Sequence, residues 1–167
     1  MKHAFIALGS NLADPILQVK NAFVALSKIP KTRVIKGSSL YRTAPIDCPQ
    51  TTEQSVPDFI NAVVEIETTL SPEALLTALH AIENAAGRER PYINAPRVLD
   101  CDLLLYENIV QNTAKLTLPH PRMHTRGFVL LPLFEIAPQL IVPKHGKIAQ
   151  LMTPQLAQGI QKLENHL

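Results

Sequence analysis

The chain alternates between two hydrophobic periods, and each change of period marks an element. His3 to Leu8 is a short apolar run that stops at Gly9-Ser-Asn11, as a buried strand entering a turn does. Asp14 and Pro15 then predict the cap and first position of a helix, with Leu17, Ala22, Leu26 and Ile29 as its apolar stripe. Thr32 to Leu40 is rich in strand formers. From Phe59 to Thr68 the period is two, with Ile60, Ala62, Val64 and Ile66 set against Asn61, Val63, Glu65 and Glu67. These two stretches are expected to pair. Ser71-Pro-Glu-Ala74 is a second cap, with proline at the first helical position and an acid in the first turn. Its helix should run to Ala86 and stop at Gly87. Leu103 to Tyr106 reads as a further buried strand, entered through Asp100-Cys-Asp102.

The resulting order is β-α-β-β-α-β. This is an α+β arrangement, the split βαβ of ferredoxin-like folds, with an antiparallel sheet covered by helices. A proline-rich connector, a helix from about Gly127 to Ala137 and a last helix from about Pro154 form C-terminal helical additions. In the first of these, Leu130, Leu131, Leu133 and Phe134 are expected to face the core, and core packing is also the default for Phe59 and Phe128. Two segments, Thr43 to Asp58 and Arg88 to Pro96, are long for simple connections. In compact domains such loops are binding loops or plain disorder.

Composition narrows the partners. At 167 residues, 46% of them hydrophobic, the chain can bury a sizeable core as one domain over residues 1–167. The net charge of +2 is scattered, apart from a knot at Arg88, Arg90 and Arg97, which suits a small anion better than nucleic acid. Cys48 and Cys101 are far apart and have no C-x-x-C partner, so neither a disulfide framework nor a zinc site is indicated. The N-terminal apolar run is too short for a signal peptide, and no stretch approaches a membrane span. A cytoplasmic protein with no membrane partner is expected.

Asp100 and Asp102 carry the clearest chemistry. On a strand they project to one face about 6 Å apart, where two unpaired carboxylates repel by about 3 kcal/mol at an effective dielectric near 20. A cation between them would relieve this, and Mg²⁺ typically shares one or two carboxylates with substrate phosphates. Solvated aspartates at a strand end, or a pair with Arg97, are the competing reading. Three guanidinium groups, Arg88, Arg90 and Arg97, bracket the loop leading into the acidic pair, and arginine binds phosphate oxygens bidentately. His120, Arg122, His124 and Arg126 add possible phosphate donors in one irregular segment, although a single histidine there is as readily a turn residue.

Six fragments then occur in order: Ile6-Ala-Leu-Gly-Ser-Asn-Leu12, Tyr41-Arg-Thr-Ala-Pro45, Pro57-Asp-Phe-Ile-Asn-Ala62, Pro96-Arg-Val-Leu-Asp-Cys-Asp102, Leu118-Pro-His120 and Arg126-Gly-Phe128. On this frame they resemble the 6-hydroxymethyl-7,8-dihydropterin pyrophosphokinase family, from the first strand to about Pro143. The resemblance implies a monomeric enzyme that moves the β,γ-diphosphate of ATP to the pterin hydroxymethyl group, releasing AMP in folate biosynthesis. It implies Asp100 and Asp102 as ligands of two Mg²⁺ ions, and both, with Arg88 and Arg97, as catalytic residues. Arg88, Arg97, His120 and Arg126 match its phosphate-binding positions, with Glu83 and Leu103 near the nucleotide. Phe59 and Phe128 match its pterin sandwich and Asn61 the residue at the pterin edge, completed by Gly9, Thr43, Pro45 and Ile46.

Three positions depart from that pattern. Asn94 stands where tryptophan is usual, His80 where glutamine is, and Pro121 where tyrosine is. Tyr92 is the sole aromatic residue of the Arg88 to Pro96 loop and is either a replacement lid or a bystander. Two rivals share the frame: a nucleotide hydrolase at the same aspartates, and a non-catalytic module that senses nucleotide or binds RNA. The latter would need exposed base-stacking aromatics on the sheet.

Overall fold

The computed structural model describes residues 1–12, 14–44, 58–87 and 98–167. Its elements are β1 (Lys2–Ser10), α1 (Pro15–Ser27), β2 (Thr32–Gly37), β3 (Ser39–Thr43), β4 (Phe59–Thr68), α2 (Pro72–Ala86) and β5 (Asp100–Tyr106). There follow a ribbon of β6 (Gln111–Asn112) and β7 (Thr117–Leu118), a 3₁₀ turn (Met123–Thr125), α3 (Gly127–Ile136) and a ribbon of β8 (Ile141–Val142) and β9 (Gly146–Lys147). The chain closes with α4 (Ile148–Leu151), α5 (Pro154–Ala157) and β10 (Ile160–His166). The first seven elements run β-α-β-β-β-α-β, the expected β-α-β-β-α-β order with its second strand divided in two.

The sheet runs β10-β3-β4-β1-β5, all antiparallel, and β2 lies beside the other half of β4. Thr32 to Leu40 is therefore two strands rather than one. They break at Ser38, whose N–H donates to Val63 O at 3.0 Å while its Oγ accepts from Val63 N–H at 3.0 Å. Both backbone groups are satisfied at the break, so the chain can change direction there without leaving buried polar groups unpaired.

Strand alternation sorts the side chains into two cores. Ile6, Leu8, Ala62, Val64, Cys101 and Leu103 pack with α1 and α2, while Phe5, Val63 and Leu104 pack with α3 on the opposite face. A register shift between Phe5 and Ile6 leaves Leu104 as an extra residue on β5, so Leu104 and Leu105 both enter the second core.

The helices follow their caps unequally. Ser71 has extended backbone and its Oγ accepts from Ala74 N–H at 3.1 Å, as expected. Asp14 precedes Pro15 as expected but makes no side-chain cap, because at φ 61° its backbone is left-handed rather than extended. The buried stripe of α1 is Val19, Ala22 and Leu26, continued by Ile29, whereas Leu17 is 50% exposed. Leu17 lies two residues before Val19, about 200° around the helix. In α3 the buried arc centres on Val129, Leu133 and Ile136, with Leu130 inside it. Leu131 and Phe134 lie beyond that arc, and Phe134 is exposed. The helix expected from Pro154 is a single turn. Gly159, at φ +75°, swings the chain out of it and into β10.

Candidate active site

Three strands place one row of side chains on the α3 side of the sheet. Asn61 on β4 pairs with Gly9 on β1, Gly9 pairs with Asp100 on β5, and one step along Ala7 pairs with Asp102. Paired residues share a face, so Asn61, Gly9 and Asp100 form a line beyond the N-terminal end of α3. A Cβ on Gly9 would lie 3.2 Å from Asn61 Oδ1. The missing side chain leaves a cavity with Gly9 and Asn61 in its floor. Thr43 and Phe59 line it from β3 and β4, Asp100 and Asp102 from β5, and Arg126 and Phe128 from the start of α3.

Asn61 is 6% exposed, and its Nδ2 has no hydrogen-bond partner among the described residues. A buried amide donor left unpaired costs about 1–3 kcal/mol, so its persistence in a cavity points to a ligand that supplies the acceptor. Phe128 and Phe59 are half-buried rather than core, which leaves ring surface for a ligand. The Arg126 guanidinium lies over the Phe128 ring, 5.6 Å from its centroid.

A second cavity wraps the outer edge of β5. Leu76, His80 and Glu83 line it from α2, Cys101 and Leu103 from β5, and Lys115, Thr117 and His120 from the segment beyond. Asp102 is the one residue of β5 that lines both cavities.

The His120 peptide N–H donates to Leu104 O at 2.9 Å, which fixes this segment against β5. Burial chiefly lowers the His120 pKa. The Asp102 carboxylate opposes that, while Arg126 and Arg122 add to it. Its ring is therefore neutral near pH 7. Because Nδ1 accepts from Arg122 N–H at 3.2 Å, the hydrogen-bond network assigns the ring proton to Nε2, making that nitrogen a donor. Glu83 Oε2 accepts from Cys101 N–H at 2.9 Å and so ties α2 to β5 as well as lining the cavity. Burial pushes the Cys101 thiol far up, and the Glu83, Asp102 and Asp100 carboxylates push it further, so it stays protonated.

Asp100 and Asp102 offer carboxylate oxygens to a metal in the first cavity. Among the described residues no three His, Cys, Asp or Glu side chains converge. Two carboxylates suit a hard cation that takes its remaining oxygens from a substrate.

The expected site residues thus fall into two groups. Gly9, Thr43, Phe59, Asn61 and Phe128 share the first cavity with both aspartates, and Glu83, Leu103 and His120 share the second. Arg126 lines the first cavity rather than the second, although its charge reaches His120. Leu103 is mainly a core residue, 3% exposed. Pro45, Ile46, Arg88, Arg90, Tyr92 and Arg97 lie outside the described residues. Lys115 and Thr117 were not anticipated from the sequence. A usable signal was the alternation of Lys115 and Thr117 with the buried Leu116 and Leu118, which marks a short strand inside an apparent connector.

Residues 5–138 match the family described as 7,8-dihydro-6-hydroxymethylpterin-pyrophosphokinase (HPPK). The chain is 44% identical over 149 residues to a 2-amino-4-hydroxy-6-hydroxymethyldihydropteridine pyrophosphokinase of Haemophilus influenzae, covering 89% of this chain and 90% of the relative. It is 37% identical over 163 residues to the like-named protein of Pseudomonas aeruginosa, covering 98% of each. The fold is shared with a crystal structure of HPPK-DHPS in complex with substrates, at a TM-score of 0.74 and 12% identity, covering 97% of this chain and 46% of that one. A Plasmodium falciparum HPPK-DHPS is similar at a TM-score of 0.70 and 14% identity, covering 97% and 47%. The chain spans about half the length of these solved chains. A match over most of the sequence and two near-full-length relatives lead to one conclusion: the chain belongs to the 7,8-dihydro-6-hydroxymethylpterin-pyrophosphokinase family.

Proposed function

We propose that the protein transfers a diphosphate from ATP to 6-hydroxymethyl-7,8-dihydropterin in the cytoplasm, giving AMP and the pterin diphosphate. The observation that carries this reading is Asp102, which lines both cavities, so that a group passing from one ligand to the other passes this residue. The pterin occupies the first cavity. Asn61 offers its Nδ2 to an acceptor on the ring edge beside Thr43, and Phe59 and Phe128 contact the ring faces, while Pro45 and Ile46 join that edge on the family resemblance alone. ATP occupies the second cavity, beside Glu83 and Leu103, where Nε2–H of His120 donates to a phosphate oxygen. Arg126 at the first cavity, with Arg88 and Arg97 from the family resemblance, binds phosphate oxygens.

Asp100 and Asp102 would hold Mg²⁺, two ions in this reading. When bound, the ions offset charge on the phosphates and align the attacking and leaving oxygens. The contribution of the chain itself is positioning: two neighbouring cavities turn a bimolecular encounter into a contact within one complex. The test is incubation with ATP, Mg²⁺ and the reduced hydroxymethylpterin, where AMP and pterin diphosphate should accumulate together. Steady ATP breakdown without the pterin would instead mark a hydrolase, and loss of turnover in excess EDTA checks the need for a metal.

A further inference from the structure

The family match ends at residue 138, yet the chain beyond it packs against two elements, α3 and β3, that wall the first cavity. A Cβ on Gly127 would lie 1.7 Å from the carbonyl oxygen of Leu156 and 3.0 Å from Ile160 Cδ1. The carbonyl of α5 therefore sits in backbone contact with the first turn of α3, the turn that carries Phe128 and follows Arg126. That carbonyl is itself fixed, because Leu156 N–H donates to Thr153 Oγ1 at 3.3 Å and its side chain packs on the second core. Four residues later the same segment pairs with β3, placing Ile160 opposite Thr43 and Lys162 opposite Tyr41.

We propose that residues 153–162 are a positioning element of the pterin cavity, holding Phe128 and Arg126 on α3 at a set distance from Thr43 on β3. The Leu156 carbonyl seats one wall and the β10 ladder the other. Gly127 has no side chain because the seat leaves no room for one. A shift of about 1 Å in such walls costs about a hundredfold in rate in a well-aligned site, and it also loosens the fit around the ring, so the segment influences pterin binding without touching the ligand. Nothing in the segment lines the second cavity, and ATP binding should be indifferent to it.

This inference rests on the pterin reading of the first cavity, and the experiment separates the two. Gly127→Ala and a chain ended after Gln158 are compared with the parent. Each is titrated with Mg²⁺ and a non-hydrolysable ATP analogue, then with reduced hydroxymethylpterin, and amide hydrogen exchange is followed in the free proteins. Both variants should bind the pterin about tenfold or more weakly with analogue binding little changed. Exchange should rise at residues 39–43 and 127–130 but not along α1 and α2. Unchanged pterin affinity in either folded variant overturns the proposal. Equal loss of both ligands with a uniform rise in exchange also overturns it, since the segment would then support the whole fold. A parent that binds no pterin removes the functional reading, while the exchange pattern still decides whether the segment sets the cavity walls.

Discussion

Asn61 lies directly across Gly9 in the β1–β4 ladder, with its Oδ1 only 3.2 Å from where a Cβ on Gly9 would stand. A methyl group at Gly9 therefore presses on the Asn61 amide, which must give by a few tenths of an ångström. Gly9→Ala is expected to fold and to weaken pterin binding, leaving ATP binding unchanged. Titration of each ligand separately reads the difference, and equal effects on both would detach this pair from the pterin.

In the proposed reading Asn61 trades stability for recognition. Its buried Nδ2 is unpaired among the described residues, an arrangement that costs about 1–3 kcal/mol in the free protein. Asn61→Leu, of similar volume, should match or exceed the parent in thermal unfolding temperature and should lose pterin binding. A clear drop in that temperature would show that the amide holds the fold.

Asp102→Asn keeps the shape of the wall between the cavities and removes its charge. Turnover should fall by about 10²–10³, as when one transition-state stabiliser is lost, with the fold intact. Parent-like turnover at saturating Mg²⁺ would remove Asp102 from the reaction.

Phe128 is half-buried at the mouth of the first cavity. Phe128→Ala should weaken pterin binding far more than ATP binding and destabilise the protein by less than the about 3–5 kcal/mol of a full core truncation. A loss within that range with unaltered pterin affinity would identify ordinary packing.

Glu135 couples α3 to β3, accepting hydrogen bonds from Tyr41 OH at 2.7 Å, Ser39 Oγ at 2.9 Å and Ser39 N–H at 3.0 Å. Burial alone would raise its pKa, but the bonds from Tyr41 and Ser39, with Lys162 nearby, bring it below the ordinary 4.5. A lowered folded pKa means stability that is present above the unfolded value and lost as pH falls through the folded one. The stability gap between the parent and Glu135→Gln should thus be full at neutral pH and close progressively below pH 4.5. Urea unfolding at both pH values checks it, and a gap independent of pH would rule out the carboxylate as its source.

Near neighbours in the chain determined much of this protein. The period-two run from Phe59 to Thr68, the Ser71 cap and the aspartates at alternate positions of a strand depend on local geometry, and each is found where the sequence put it. Family-like fragments contain nearly all the residues that line the first cavity and few of those that line the second. Tertiary structure decided how these pieces meet. Gly9 and Asn61 are distant in sequence and face each other only through strand register, and Asp102 belongs to two cavities only because β5 is the outer strand of the sheet. The C-terminal strand shows the same limit. Gln161-Lys-Leu-Glu-Asn-His166 has few strand formers, and it is extended because β3 presents an open edge whose N–H and C=O groups need partners. Such pairing is a property of the folded sheet, and no local pattern encodes it.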